Sequence, residues 1–214
     1  YTQSGAVRIY FERHGQGAPL LLHHGFGGAS SSWTEAGYVS RLTPNRMVIL
    51  LDARGHGLSD APTDASAYSV DLRVNDVTAV LDELNVRTTD YWGYSMGGTI
   101  GFHLAQSQPS RVARVVAGAA SSRPGDTYVE RCLARAAAFR TNDSGAIAAM
   151  GEMSDDLSAR FLASNNMDAL AALQAAYPMR PTRAQVSGRA ILDRAVAQIP
   201  DLLADAEYAQ DMAV

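Results

Sequence analysis

A serine flanked by glycines is the feature of this sequence that points most directly to chemistry. Residues 93–97 read Gly-Tyr-Ser-Met-Gly, a Gly-x-Ser-x-Gly pattern, and lie between a predicted strand and a predicted helix. A sharp strand-to-helix turn strains the middle residue and projects its side chain above the sheet, while the glycines avoid Cβ collisions. The helix that follows directs free N–H groups toward the same point. The pattern therefore predicts Ser95 as a nucleophile that attacks a carbonyl carbon.

A glycine-rich turn at residues 24–28, His-Gly-Phe-Gly-Gly, predicts the second part of such a site. A turn of this kind leaves backbone N–H groups free to point inward. The N–H of Phe26 is predicted to join that of Met96 as the donor pair that stabilises an oxyanion. A phosphate-binding loop or a plain turn is the alternative. The sequence has neither the Gly-Lys-Ser/Thr form nor a Gly-x-Gly-x-x-Gly pattern after the first strand-to-helix turn, which argues against a nucleotide site.

A third segment, residues 52–60, follows another apolar run and reads Asp-Ala-Arg-Gly-His-Gly-Leu-Ser-Asp. With the three segments in this order and spacing, residues 5–120 resemble the α/β-hydrolase superfamily. The resemblance is closest to its single-domain esterases, cofactor-free perhydrolases and carbon–carbon hydrolases. A serine at position 95, in place of aspartate, argues against the dehalogenases and epoxide hydrolases, which use a carboxylate nucleophile.

The resemblance implies a role for four residues. Ser95 would be the nucleophile, the backbone amides of Phe26 and Met96 would form the oxyanion hole, and Arg54 would hold loops near the site. The reaction of this family implies no cofactor and no metal.

The base that should activate the serine is hard to place. A serine nucleophile needs a histidine oriented by a carboxylate, and the chain order in this fold is Ser, acid, His. The sequence has five histidines, and His103 is the one that follows the serine. It lies about 12 Å along the next helix at 1.5 Å per residue, too far for a hydrogen bond to Ser95. His23 and His24 point to opposite faces of a strand end, and His24 is predicted to shape the glycine-rich turn.

The acid is equally hard to place. Asp126 follows the fifth apolar run and is the candidate, because some family members have the acid there. Asp52 ends the wrong strand, roughly 9–10 Å from the serine strand at ~4.8 Å per strand. A metal site made of Asp52, His56 and the two strand-end histidines is disfavoured, because two strands contribute them. We therefore expect the catalytic histidine and its acid partner to lie outside this chain.

The predicted elements explain how these residues are positioned. Strands are predicted for five apolar runs, residues 7–12, 20–22, 47–51, 90–94 and 112–118. The first alternates like an edge strand, and the others are continuous enough to be buried on both faces. Helices are predicted at 71–85 and at 96–108, where Pro109 follows. Alternating strands and helices predict an α/β fold with a doubly wound, mostly parallel sheet.

The composition changes near residue 120, after which the chain is rich in alanine and has no strand pattern. We expect the N-terminal part of an α/β-hydrolase core at residues 1–122 and a helical cap at 123–214. Helical blocks are predicted at about 126–140, 154–164, 167–177, 183–199 and 201–211. The family's last two strand–helix units, about 60 residues at roughly 30 each, would follow the cap.

The C-terminal part of the sheet is thus expected to be missing from this chain, which leaves strand 112–118 as an open edge. A C-terminal fragment or a second chain is the expected partner, and it would supply the remaining strands and the catalytic histidine. The chain alone is expected to be inactive.

Composition limits the classes of function. The 214 residues are 47% hydrophobic with a net charge of −4, which is typical of a globular protein and gives no reason to expect nucleic acid or an anionic membrane as partner. No run approaches the ~18 apolar residues that span a bilayer, and no signal-peptide pattern is visible. The single cysteine, Cys132, forms no intrachain disulfide. We expect a cytoplasmic protein.

The leading interpretation is a serine hydrolase that cleaves a carboxylic ester or related acyl substrate through an acyl-enzyme on Ser95. Trp33 and Tyr94 are predicted pocket-wall residues, and a core anchor of the first helix is the alternative for Trp33. An Ala- and Leu-rich cap predicts an apolar acyl group. The alternative function is a non-catalytic ligand-binding protein on an α/β-hydrolase scaffold, because fold does not imply function.

Overall fold

The fold is built on a mostly parallel β-sheet. The computed structural model describes residues 1–120, 126–143, 145–146, 161–163 and 165–176, which lie within one compact unit, Tyr1–Met179. The strands of these residues are β1 Thr2–Ser4, β2 Val7–Ile9, β3 Phe11–His14, β4 Ala18–His23, β5 Arg46–Leu51, β6 Thr89–Tyr94 and β7 Val112–Gly118. Among them, β1 and β2 form a separate pair, and the other five form a sheet in the order β3-β5-β4-β6-β7.

The order and direction of the strands confirm the predicted α/β class. β5, β4, β6 and β7 are parallel to one another, and β3 runs antiparallel to β5. Consecutive side chains such as Leu21 and Leu22, or Ile49 and Leu50, are completely buried, which explains why these runs are apolar at every position. β4 separates β5 from β6, so the strand that leads to Asp52 does not adjoin the strand that leads to the serine.

The N-terminal segment differs from the single edge strand predicted for residues 7–12. β2 and β3 are separate strands divided by Tyr10, whose N–H donates to Ser59 Oγ (2.8 Å) and whose C=O accepts from the Asp52 N–H (3.0 Å). The chain here leaves the β1–β2 pair and joins the main sheet. The alternation of Val7, Ile9 and Phe11 continues across Tyr10, so the sequence pattern does not show the break between the two strands.

Helices connect the strands. Their bounds are α1 Ser31–Glu35, α2 Tyr38–Leu42, α3 Val70–Glu83, α4 Met96–Ser107, α5 Asp126–Arg140 and α6 Met167–Ala176. α3 begins after Ser69, whose Oγ accepts from the Leu72 N–H (3.4 Å) and so caps the first turn. α3 and α4 correspond to the two helices predicted in this part of the chain. α1 and α2 are single short turns whose length gives no periodic pattern.

The described part of the predicted cap region is helical. α5 and α6 pack against each other and against the core, and they match the predicted blocks at 126–140 and 167–177. No strand occurs among the described residues after position 125. The predicted blocks that lie largely or wholly outside the described residues are 154–164, 183–199 and 201–211. The domain boundary after residue 122 stays a prediction, and none of the described helices is long and apolar enough to cross a membrane.

β7 forms one edge of the sheet within the described residues, where it pairs with β6 alone. Its side chains are more exposed than those of β4 and β5, and Val116 is 48% accessible. An exposed apolar edge strand is a template for pairing with another strand. Within the described residues, this edge therefore presents backbone N–H and C=O groups that are not paired with another strand.

A buried ion pair joins the loop after β5 to α3. Arg54 Nε and Nη2 donate to the two carboxylate oxygens of Asp76 at 2.7 and 2.6 Å, and each side chain is 2% exposed. The guanidinium also donates to the C=O groups of Ala67 (2.6 Å) and Leu72 (3.2 Å). Burial raises the pKa of Asp76, and the bonds from Arg54 oppose that rise. Arg54 therefore holds three loop and helix segments together.

Asp76→Ala should lower the free energy of unfolding by about 3–5 kcal/mol, because it leaves a buried guanidinium without its carboxylate. Asp71→Ala is the matched control, since Asp71 is exposed in the first turn of the same helix and its loss should cost less than about 1 kcal/mol. Urea denaturation of both variants measures the difference. Equal losses of unfolding free energy in the two variants would contradict the structural role of the Arg54–Asp76 pair.

Candidate active site

Ser95 lies at the turn between β6 and α4, where the Gly-x-Ser-x-Gly pattern predicts it. Its backbone has φ 50° and ψ −111°, a conformation that residues with a Cβ rarely adopt. Its N–H donates to the Gly118 C=O at the end of β7 (2.7 Å), and its C=O accepts from the Thr99 N–H (3.0 Å). These two bonds hold the strained residue between β7 and the first turn of α4.

The glycines of the pattern allow this turn to close. A Cβ on Gly93 would collide with the backbone of Gly97 and Gly98. A Cβ on Gly97 would collide with the C=O of His23 and lie 2.7 Å from that of His24, so the start of α4 rests directly on the end of β4. Any larger residue at either position would displace the serine.

The glycine-rich segment of residues 24–28, here called the oxyanion loop, lies beside the serine. A Cβ on Gly25 would be 3.4 Å from the Ser95 Cβ, so the loop backbone passes close to the nucleophile. The Gly28 N–H donates to the Gly25 C=O (3.1 Å) and closes the turn. Within the described residues, no hydrogen bond uses the N–H of Phe26 or of Met96. Both donors are therefore available for the oxyanion that the sequence analysis predicts.

His24 holds this loop through hydrogen bonds, as the sequence predicts. Its Nδ1 donates to the Gly25 C=O (2.7 Å), and its Nε2 accepts from the Ala53 N–H (3.0 Å). The two bonds together require a neutral ring with its proton on Nδ1. Burial lowers the pKa of His24, and the bond to Gly25 and the charge of Asp52 partly oppose this effect.

His56, in the segment that follows β5, also holds the loop, a role that its sequence context does not predict. Its Nε2 accepts from the Gly27 N–H (3.0 Å), and its Nδ1 donates to the Arg54 C=O (3.2 Å). Burial, with a smaller contribution from the neighbouring His24, lowers the pKa of His56 to about 3. The ring is therefore neutral at neutral pH, as its acceptor role at Nε2 also requires.

His23 connects β4 to the elbow through a tyrosine. The Tyr91 hydroxyl donates to the Gly97 C=O (2.8 Å), so its oxygen accepts from His23 Nδ1 (2.5 Å). The first turn of α4 is thus tied to two strands. Burial lowers the pKa of His23 well below its ordinary value, which keeps this ring neutral as well.

All five histidines of the chain are among the described residues, and none forms a hydrogen bond with the Ser95 side chain. His14 on β3 contacts Glu12 (2.6 Å), and His103 lies within α4, where burial lowers its pKa. The remaining three have the structural bonds described above. The structure therefore brings no histidine of this chain into hydrogen-bond contact with the nucleophile.

The two acid residues considered from the sequence have different positions. Asp52 is buried, and its oxygens accept from the Ser30 N–H (2.6 Å) and the Leu58 N–H (2.8 Å), so it braces loops on the far side of β4. Asp126 is the first residue of α5, and its role as the acid stays a prediction. Within the described residues, no three His, Cys, Asp or Glu side chains are arranged to hold a metal ion.

The two predicted wall residues lie in different surroundings. Trp33 is buried in a core cluster beside Trp92 (ring centroids 5.3 Å apart), which favours its alternative role as the anchor of α1. Tyr94 ends β6 next to the serine and is 54% exposed. Its ring would be 3.0 Å from a Cβ on Gly25 and 3.5 Å from one on Gly118, so it lies over both backbones at the rim of the site.

Apolar side chains of the helical region cover the oxyanion loop. The Phe26 ring stacks on Phe139 of α5 (5.8 Å) and lies 6.3 Å from Phe161. The Phe161 ring occupies the space that a Cβ on Gly27 would need, and Gly27 has a φ of +71°. Met96 belongs to a buried cluster with Cys132, Ala169, Ala172 and Leu173. The amides of the predicted oxyanion hole therefore lie under an apolar layer.

Phe139 and Phe161 are site residues that no sequence motif identifies. Their contact with Phe26 depends on how the helices return over the sheet, which periodicity alone does not predict. His56 and Tyr91 lie inside segments that the sequence does single out, residues 52–60 and 90–94. Their hydrogen-bond partners, however, come from other strands and follow from the strand order only.

The sheet order, the strained serine turn and the adjacent glycine-rich loop together define a hydrolase-type α/β architecture. The family model described as the alpha/beta hydrolase fold matches residues 18–196. The chain therefore belongs to the alpha/beta hydrolase fold family, which confirms the resemblance seen in its motifs.

Three comparisons show how the chain relates to known proteins. It is 33% identical over 117 residues to a putative 2-succinyl-6-hydroxy-2,4-cyclohexadiene-1-carboxylate synthase of Bacillus subtilis, covering 54% of this chain and 42% of that protein. It is 36% identical over 114 residues to the 2-hydroxymuconate semialdehyde hydrolase of a Pseudomonas species, covering 53% and 40%. The crystal structure of a hydrolase from Pseudomonas aeruginosa matches with a TM-score of 0.68 and 26% identity, over 82% of this chain and 70% of that one. The matches to the two curated relatives thus span less than half of their length.

The strain at Ser95 gives a direct prediction. Ser95→Gly should be more stable than Ser95→Ala by about 1–3 kcal/mol, because glycine adopts this φ and ψ without a Cβ penalty. The same two substitutions at Asn75, exposed in the middle of α3, are the control, where alanine should be the more stable by about 1 kcal/mol. Urea denaturation measures all four variants. An alanine variant at position 95 as stable as the glycine variant would show that the turn is not strained.

Proposed function

We propose that this chain is the nucleophile-bearing part of a serine hydrolase that cleaves a carboxylic ester or a related acyl substrate. The observation that carries the proposal is the strained serine at the start of α4, with two backbone amides beside it that have no other use among the described residues. Membership of the alpha/beta hydrolase fold family and the two relatives named as hydrolases support the same class of activity.

The proposed reaction begins when Ser95 Oγ adds to the carbonyl carbon of the substrate. The serine proton passes to a histidine, and the electron pair of the carbonyl bond moves to the oxygen. The resulting oxyanion accepts hydrogen bonds from the N–H groups of Phe26 and Met96. The tetrahedral species then collapses, the leaving group departs with the proton, and an acyl-enzyme remains on the serine. Water, deprotonated by the same base, releases the acid and restores Ser95.

The histidine and its acid partner are proposed to come from outside this chain, on a C-terminal continuation or a second chain. The support is that none of the five histidines forms a hydrogen bond with the Ser95 side chain. The exposed edge at β7 is the proposed docking position, because added strands there would extend the sheet beside β6. This chain alone is therefore proposed to be inactive.

The proposed substrate carries an apolar acyl group. The surface above the oxyanion loop is formed by aromatic rings and small apolar side chains of α5 and α6, which offer no charge to a polar substrate. No cofactor or metal is required by the reaction. The single Cys132 is buried on α5 and contributes no disulfide, which is compatible with the cytoplasmic location that forms part of this proposal.

A non-catalytic ligand-binding protein is the second candidate function. The lack of a histidine bonded to Ser95 favours this candidate, because a hydrolase scaffold without a catalytic base binds a ligand but does not hydrolyse it. Binding of an apolar ester that is equal in the parent and in Ser95→Ala, with no hydrolysis by the full-length protein, would support this candidate.

A fluorophosphonate probe tests the proposed reaction. In the full-length protein the probe should attach to Ser95, as located by peptide mass spectrometry, because attack on phosphorus uses the same nucleophile and the same donors. Ser95→Ala should abolish labelling, and Ser107→Ala, at an exposed serine of the same helix, should leave it unchanged. No labelling of Ser95 in the full-length protein would refute the proposal.

A further inference from the structure

The peptide unit that carries the Phe26 N–H is held at its opposite end. This unit joins Gly25 to Phe26, and a planar trans peptide directs its C=O and N–H in opposite directions. The Gly25 C=O accepts from His24 Nδ1 (2.7 Å) and from the Gly28 N–H (3.1 Å). These two bonds fix the direction of the carbonyl, and so they fix the opposite direction of the Phe26 N–H.

The next peptide unit, from Phe26 to Gly27, is held by a second imidazole. Its N–H donates to His56 Nε2 (3.0 Å), and the His56 ring is fixed in turn by its bond to the Arg54 C=O (3.2 Å). Arg54 is itself held in the buried ion pair with Asp76. Both peptide planes on either side of Phe26 are therefore connected to the rigid core.

We propose that His24 and His56 are positioning residues that hold the Phe26 N–H in the orientation required by the oxyanion. This inference rests on the proposed function, because it assigns a purpose to the same pair of amides. Glycines at positions 25 and 27 leave the loop free to rotate its peptide planes. Without the imidazoles, rotation of the first plane would turn the Gly25 C=O toward the oxyanion, where it repels negative charge.

The proposal requires one tautomer of both rings. Each Nε2 must be a lone-pair acceptor, for the Ala53 N–H in His24 and for the Gly27 N–H in His56, and each Nδ1 must carry the proton. The two rings lie 5.2 Å apart, so a charge on one disfavours a charge on the other. Burial favours the neutral form of both rings.

Paired substitutions separate positioning from simple packing. His24→Leu and His56→Leu remove the hydrogen bonds, whereas His24→Asn keeps a donor near Nδ1 and His56→Gln keeps an acceptor near Nε2. In the full-length enzyme we expect each leucine variant to lower kcat by about 10²–10³-fold, the cost of losing one oxyanion donor, with little change in KM. Each conservative variant should have a kcat at least about tenfold higher than that of the leucine variant at the same position. His14→Leu, on β3, is the control and should keep kcat within about twofold.

Two results would overturn the proposal. One is a folded leucine variant, as judged by its melting curve, with kcat within about twofold of the parent. The other is an equal loss in the leucine and conservative variants with KM rising in parallel, which is the signature of general disruption.

A measurement on the unmodified protein decides the matter if the leucine variants do not fold. Imidazole ¹⁵N chemical shifts report the tautomer of each ring, and the proposal expects the proton on Nδ1 of both His24 and His56. A proton on Nε2 of either ring would overturn it. Failure of the proposed function is recognised separately, because in that case the probe would not label Ser95 even in the parent, whatever the tautomers.

Discussion

The close approach of the start of α4 to the end of β4 is the constraint on which the site depends. There is no room for a Cβ on Gly97 against the His23 C=O, so the two segments meet backbone to backbone. Gly93, at the end of β6, likewise has no room for a Cβ beside the backbone of Gly97 and Gly98. This contact forces Ser95 into a left-handed conformation and places its side chain at the carboxyl edge of the sheet. It also brings the first N–H of the helix next to the oxyanion loop. Position, strain and donor geometry therefore have one common cause.

The polar side chains around this contact hold the backbone in place. Their hydrogen-bonding groups are occupied by structural partners and so are not free to act on a substrate. Asp52, Arg54, His24 and His56 are all buried, and their hydrogen bonds go mainly to backbone groups of the loops that follow β4 and β5. Such bonds are needed because loops packed against a sheet edge would otherwise bury unpaired N–H and C=O groups. The same use explains why a chain with several histidines near its nucleophile presents none of them as a base to Ser95.

The sequence was sufficient to predict the strands, the serine turn and the glycine-rich loop, because each is a local pattern. Continuous apolar runs identify buried parallel strands, and glycine marks positions where a Cβ does not fit. What local patterns do not contain is the contact between distant elements. The stacking of Phe139 on Phe26, the bond from His56 to Gly27, and the core position of Trp33 all depend on strand order and helix packing. The break at Tyr10 is not visible in the sequence, because the alternation of Val7, Ile9 and Phe11 continues across it.

In the proposed reaction, Ser95 attacks while the amides of Phe26 and Met96 receive the developing charge. A crystal structure of the full-length protein with a phosphonate covalently bound to Ser95 tests this claim most directly. We predict that the phosphoryl oxygen lies about 2.7–3.1 Å from both backbone nitrogens. A phosphoryl oxygen directed away from these two amides, with the adduct on Ser95, would contradict it.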